Sequence, residues 1–325
     1  MNGLRSGLAT HIEGLIELKR ALGFPYQTGE RHLCAFDAMC ADNNPGEAAL
    51  TRQMAMGWAR ARPGEHVNSQ TRRITPIRQL AKHMARVGAE AYVIPAGVPG
   101  RRVRYTPHIF SRAELRALFD AADQVRESSH SGPRHLVIPV VFRMLYCLGL
   151  RPGEARRLLV ADVDLARGSV FIRESKGHSD RIVFMSQDLL DFCRSYDQQI
   201  TALQPVRAAF FPNRFGRPYN PSTIGCWFHQ LVEAAGPGAV NARPGSPPRP
   251  YDLRHAHVAE VINRQVKAGR DPLALVPHLS AQLGHANLAD TLYYFHLVPG
   301  FYTDLRDLAN SPVEARIPEA DNGVR

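Results

Sequence analysis

Between residues 1 and 95 apolar side chains recur every three or four positions, the period of a helix that buries one face. Leu8, Ile12, Leu15, Ile16 and Leu18 form the first such stripe, and Gly23 and Pro25 end it. The same spacing predicts helices over 29–39, 47–61 and 69–87. On the last of these Ile74, Ile77, Ala81 and Met84 share a face, while Arg78, Lys82 and Arg86 recur four apart on another. Residues 95–107 break the pattern. Three prolines and two glycines forbid a helix there and predict a linker over 96–107. The helical period returns at Ser111, which stands three residues before Glu114 and just ahead of Leu115, Leu118 and Phe119, the arrangement of a capped helix start. Leu136–Leu148 is apolar on nearly every side and reads as a central buried helix. The period then drops to two. Ser169–Arg173 and Arg181–Met185 are rich in β-branched and aromatic residues and flank a turn at Lys176–Asp180, which predicts a β-hairpin. Pro221 and Ser222 open a helix carrying Trp227, Phe228 and Leu231. The Gly- and Pro-rich stretch 236–250 is a long loop, and helices resume at Asp252 and around Leu288. From Ser311 the chain is polar and reads as a flexible tail over 311–325. The whole is mainly α with one small antiparallel sheet, an α+β class. It divides into a helical domain over 1–95, the linker, a second domain over 108–310, and the tail.

Composition narrows the partners. The 325 residues suffice for two domains, and 44% hydrophobic content for their cores. The net charge of +10 favours a polyanion. More than half of it lies between Gly64 and Pro107, where Arg72, Arg73, Arg78, Lys82, Arg86, Arg101, Arg102 and Arg104 meet only Glu65 and Glu90. A run of charge is ordinarily a solvated helix face. The scarcity of acids here favours DNA contact through the helical stripe, while the basic linker reads equally as a hinge that closes around a duplex or as an ordinary tether. The five cysteines, Cys34, Cys40, Cys147, Cys193 and Cys226, are odd in number and form no CxxC pair, as in reduced cytoplasmic proteins without a zinc site. The most apolar run, Leu136–Leu150, contains Arg143 and is too short to span a bilayer, and the N-terminus has no signal-peptide core. These features predict a cytoplasmic protein with no membrane partner. No Asp/Glu/His cluster has metal-ligand spacing, which disfavours a metal-dependent nuclease.

Five segments carry the chemistry. Gly149-Leu150-Arg151-Pro152-Gly153-Glu154 follows the buried helix, and Lys176 sits in the hairpin turn. Tyr251-Asp252-Leu253-Arg254-His255 opens a helix. Leu283-Gly284-His285 makes a turn, and Tyr294 follows His285 by nine residues in a Tyr294-Phe295-His296 triplet. Arginine is planar, permanently charged and bidentate toward phosphate, so two of them can clamp a phosphoryl group whose oxygens gain charge during attack by a hydroxyl.

In this order the segments resemble the tyrosine recombinases, the phage integrase family, over residues 108–310. The stretches Phe210-Phe211-Pro212 and Gly216-Arg217-Pro218 fit the same likeness, and the N-terminal region resembles the family's helical core-binding domain in size, helicity and charge. The resemblance implies a core-binding domain followed by an integrase-type catalytic domain. It implies that Tyr294 attacks the scissile phosphate to form a 3′-phosphotyrosyl link, with Arg151, Arg254 and His285 stabilising the charge and Lys176 as general acid. Tyr293 is left to core packing, and Glu154 to orienting Arg151. It implies double-stranded DNA as partner, gripped by both domains, and a tetramer on two sites, with sister recombinases as further partners. It also implies no cofactor, no metal and no ATP, and a bacterial protein that is nucleoid-associated when bound. One position departs. Where the family has a histidine that assists proton transfer or holds the phosphate, this chain has Tyr251. A phenol with a reference pKa of about 10 is a poor base at neutral pH, yet it can still donate a hydrogen bond. Either that step is dispensable, or a neighbour substitutes, or the enzyme is slow. His255 and His257 are read as pointing elsewhere on the helix. Two other functions compete. A type IB topoisomerase shares the constellation, but the chain length and the Leu-Gly-His to Tyr-x-His spacing favour a recombinase. A non-catalytic accessory DNA-binding protein is supported by Tyr251 alone. Integration, excision and transposition of a mobile element are not separated by the sequence.

Overall fold

In the computed structural model the described residues are 3–103, 105–128, 132–173, 180–241 and 247–297, with the side chains of His296 and Leu297 excepted. Arg104, Lys176 and the 311–325 tail lie outside them. The chain forms two compact units that divide between Tyr105 and Thr106.

The first unit holds helices α1 (Ala9–Ala21), α2 (Gln27–Asn43), α3 (Arg52–Ala59) and α4 (Val67–Arg86). The amphipathic stripes close on one core. Leu8, Ile12, Leu15 and Ile16 are buried with Leu33, Phe36, Ile74, Ile77 and Met84, while Leu18, at the edge of its stripe, remains 40% exposed. Phe36 and Trp58 meet edge to face at 5.4 Å, a geometry that suits the ring quadrupoles.

Two basic residues expected on the DNA-facing side are engaged within this unit instead, Arg73 in its interior and Arg78, half-buried, against backbone carbonyls. Arg73 is 3% exposed. Its guanidinium pairs with Glu65 at 2.6 Å, donates to the carbonyls of Trp58 and Arg60, and lies over the Trp58 ring. A side chain four-fold engaged under the surface cannot reach a phosphate. Arg78 donates to the carbonyls of Ile94, Pro95 and Val98. Asn68 closes a further pair of bonds with Val103. Much of the segment read as a linker is therefore fastened to α4, because its prolines and glycines leave carbonyls that no helix satisfies.

The second unit is built around α6 (Arg134–Cys147), preceded by α5 (Arg112–Asp123) and followed by the short α7 (Pro152–Arg157). The capping box at Ser111 is present: Glu114 N–H donates to the serine hydroxyl at 3.2 Å, and Ser111 N–H to the Glu114 carboxylate at 2.7 Å. Residues Val137–Phe142, Met144 and Leu145 of α6 are all buried, as an all-round apolar helix requires. Strands β1 (Val163–Asp164), β2 (Ser169–Ile172) and β3 (Arg181–Phe184) form an antiparallel sheet in the order β1-β2-β3, with Ile172 opposite Arg181 and Ser169 opposite Phe184. β1 was not anticipated, since two residues are too short to show a period. Helices α8 (Gln187–Leu203), α9 (Thr223–Ala234), α10 (Asp252–Lys267), α11 (Val276–Leu283) and α12 (Leu288–Leu292) complete the unit, and a 3₁₀ turn over Tyr293–Leu297 follows α12. α10, α11 and the 3₁₀ turn share an apolar cluster of their own, including Val258, Ile262, Leu279 and Leu283. Among the described residues no helix is long and apolar enough to cross a membrane.

Candidate active site

The site assembles where three chain reversals meet. Gly149, at φ +62°, turns the chain sharply out of α6, and a Cβ there would stand 2.9 Å from the His257 ring. Arg151 then caps α7, with Pro152 as its first residue. Glu154, one turn on, reaches back. Its carboxylate accepts from the Arg151 N–H at 2.9 Å and from Arg151 Nη1 at 2.6 Å. The opposite side of the same carboxylate takes Arg181 from β3 in a two-pronged pair at 3.1 and 2.8 Å, and Arg181 Nε donates to the Gln282 carbonyl at 2.6 Å. Burial alone would raise the Glu154 pKa. The Arg181 hydrogen bonds and charge, with those of Arg151, outweigh it and hold the group at about 2. Glu154 thus stays an anion and clamps two arginines.

Arg254, in the first turn of α10, is 0% exposed. Nη1 donates to the Gly149 carbonyl at 2.7 Å, and Nη2 to the Leu283 carbonyl at 2.6 Å and to His285 Nε2 at 3.1 Å. Its Nε–H has no partner among the described residues. Gly284 ends α11 at φ +61°, in contact range of Arg181, and delivers His285. Because arginine only donates, the hydrogen bonds assign a bare Nε2 to His285 and a hydrogen on Nδ1, which meets Thr291 Oγ1 at 2.8 Å. Burial, then the charges of Arg254 and Arg151, lower the His285 pKa to about 4. At neutral pH it is therefore neutral, and the nitrogen facing Arg254 is an acceptor.

Tyr294 lies on the 3₁₀ turn and is 3% exposed. Its ring stacks on His285 at 6.0 Å and 11°, and contacts His255 at 5.2 Å. Burial raises its pKa, opposed by the charge and hydrogen bonding of Arg254. Tyr293, expected to fill the core, is the partly exposed member of the pair, and Tyr294 is the buried one. The tight turn after the five-residue α12 rotates the two side chains away from the assignment that sequence order suggests.

Tyr251 caps α10, and its oxygen supports the charge of Arg151 by hydrogen bonding. The structure corrects one reading here. His255 does not point away from Tyr251: four residues on along a helix, it shares that face, with ring centres 5.0 Å apart. His257 is on another face, against Tyr146 and Gln282.

Arg151, Arg254, His285, Tyr294 and Tyr251 therefore converge, while Lys176 falls outside the described residues. Arg181, His255 and Thr291 were not singled out in the sequence as part of this site. Arg181 had a signal: it shares with Val183 the inward row of a strand whose alternate residues Ile182 and Phe184 face solvent. A charged residue in an inward register needs a buried counter-charge. In the first unit Arg72, Lys82, Arg86, Arg101 and Arg102 are exposed, and Arg72, Arg101 and Arg102 line one concavity of about 800 Å³ with Asn68 and Val103.

Two arginines, an imidazole and a buried phenol meet around one point, an arrangement chemically suited to a phosphodiester. The model of the phage integrase family matches residues 109–299, and the chain belongs to that family. It is 30% identical over 290 residues to y4rE of Sinorhizobium fredii and 29% identical over 288 residues to y4rB of the same organism, both carrying the name integrase/recombinase. These alignments cover 88% and 87% of this chain and 91% and 90% of the relatives. The chain is 29% identical over 194 residues to tyrosine recombinase XerC 2 of Ralstonia nicotianae, covering 58% of this chain and 49% of that one. In fold it is similar to the XerH site-specific recombinase in its post-cleavage complex (TM-score 0.62, 17% identity, 92% of this chain and 83% of that one). It is also similar in fold to the Tn1549 transposon integrase with transposon right end DNA (TM-score 0.60, 14% identity, 88% and 94%). The chain is a tyrosine-type recombinase, an enzyme of site-specific DNA recombination.

Proposed function

We propose that the chain cuts and rejoins duplex DNA through a covalent 3′-phosphotyrosyl link to Tyr294, in the integration, excision or transposition of a mobile element. The observation that carries this reading is the burial of Tyr294 against His285 and within hydrogen-bonding reach of Arg254, a guanidinium with one N–H still unpartnered among the described residues. The phenol oxygen attacks phosphorus, the bond to the 5′ oxygen breaks, and that oxygen leaves with a proton from a general acid, the role proposed for Lys176. Arg151 and Arg254 hold the non-bridging oxygens, and His285 joins them as a donor once Nε2 carries a proton. A 5′ hydroxyl from another strand reverses the step. The covalent link keeps the bond energy of the phosphodiester, so rejoining draws on neither ATP nor metal. The exposed Arg72, Lys82, Arg86, Arg101 and Arg102 of the first unit contact backbone phosphates. The working assembly is a tetramer on two DNA sites, with sister recombinases as possible members, in the bacterial cytoplasm.

The test is trapping of adducts on labelled duplex nicked so that the cleaved fragment escapes, without magnesium. Wild type and Tyr293→Phe form the adduct and Tyr294→Phe does not. Binding without an adduct from any variant would point instead to an accessory DNA-binding protein. Relaxation of plasmids that lack any specific site would point to a type IB topoisomerase.

A further inference from the structure

At the position of Tyr251 the family has a histidine that assists proton transfer or holds the phosphate, and in this chain different residues are placed for the two tasks. Tyr251 stands beside Arg151, where its phenol is placed to hold a phosphate oxygen. A phenol is a poor base, so the proton that Tyr294 must lose needs another destination. Two imidazoles flank the Tyr294 ring. His285 has both nitrogens engaged, Nε2 by Arg254 and Nδ1 by Thr291. His255 does not. Its ring lies between those of Tyr251 and Tyr294, at 5.0 and 5.2 Å, it is 8% exposed, and its buried Nδ1 has no partner among the described residues. With the hydrogen on Nε2, Nδ1 is a bare lone pair on a ring packed against that of Tyr294.

We propose that His255 accepts the phenol proton of Tyr294, while Tyr251 serves only to hold the phosphate.

The inference rests on Tyr294 as the nucleophile. As the bond from Tyr294 oxygen to phosphorus forms and the bond to the 5′ oxygen breaks, the phenol proton passes to Nδ1 of His255 and makes an imidazolium. On rejoining, the same proton returns to the departing phenolate. In the free protein burial, then Arg249, Arg254 and His285, lower the His255 pKa to about 4, so the ring is neutral and open to a proton. A phosphate docked on Arg151 and Arg254 cancels part of that positive field and raises the basicity of His255 when substrate is in place. The groups that face the ring are Tyr251, Arg249 and Arg254 from its own side, and Tyr294 and His285 from the elements packed against it.

The experiment follows single-turnover adduct formation by the full chain from pH 5 to 9, on nicked duplexes selected from a randomised pool for tight binding. His255→Gln and His255→Phe, the second of which keeps a ring in the stack, lower the rate by about 10²–10⁴-fold, leave DNA binding intact, and lose the acidic limb of the wild-type profile. Tyr251→His combined with His255→Gln recovers rate by at least about tenfold, because it returns an imidazole to the family's position. His255→Gln or His255→Phe cleaving at the wild-type rate with an unchanged profile overturns the proposal. So does a loss that Tyr251→His does not recover. Failure of the underlying reading is seen separately, as wild type that forms no adduct on the selected DNA or Tyr294→Phe that still does.

Discussion

A guanidinium that solvent does not reach is costly to fold around, and Arg254 offsets that cost by binding two backbone carbonyls and an imidazole at once. The same arrangement places positive charge beside three histidines. His255, His257 and His285 are each lowered to about 4, in every case by burial first and Arg254 among the charges. A base whose folded pKa lies below its unfolded value of 6.5 binds more protons when unfolded, so stability is complete above about pH 6.5 and is lost as pH falls toward 4. The melting temperature should therefore fall steadily between pH 7 and pH 5, and a flat profile over that range would contradict the burial of these rings. At this scale Arg151, Arg254, His285 and Tyr294 were legible because each sits in a short local motif. The partners of His255 were not, since they come from the packing of α10 against the 3₁₀ turn.

Elements bring these residues together through positions that tolerate little change. Gly284 ends α11 in the left-handed region, and a Cβ there would lie 2.9 Å from Arg181. Gly284→Ala should destabilise the chain by about 1–2 kcal/mol from backbone conformation alone, more if Arg181 is displaced, and should slow adduct formation by shifting His285. Chemical denaturation and the trapping assay measure the two effects. β3 matters for what its inward row carries. Arg181→Met removes from the buried Glu154 one of the two arginines paired with it among the described residues, and removing one partner of a buried ion pair costs about 3 kcal/mol. The denaturation midpoint should drop accordingly, whereas a neutral result would mean that Glu154 is better hydrated than its burial indicates. The hairpin and the buried α6 were plain in the periodicity. α8 and α11 were not singled out, although Leu189, Cys193, Tyr196 and Ile200 space a buried stripe along α8.

For the molecule as a whole, charge is the property that sequence reports directly and structure must sort. Arg72, Arg101 and Arg102 are exposed around one concavity, and Arg73 and Arg78 are held by carboxylate and carbonyls. Arg72→Gln should lower the slope of log affinity against log salt by about 1, the signature of one lost phosphate contact. Arg73→Gln should leave that slope unchanged and lower the melting temperature, because it breaks an ion pair under the surface. A salt titration with both variants separates the two kinds of arginine, and equal slopes for Arg72→Gln and wild type would remove Arg72 from the interface. By itself the sequence determined the class of fold, the family, and the order of arginine, histidine and tyrosine along the chain, because periodicity and short motifs are local and survive without coordinates. The tertiary structure decided which basic residues face solvent, that Tyr294 rather than Tyr293 is buried, that Arg181 completes the Glu154 clamp, and that His255 stands between two tyrosines. Each of these depends on side chains from separate elements meeting at one place, and no spacing along a single segment encodes that meeting.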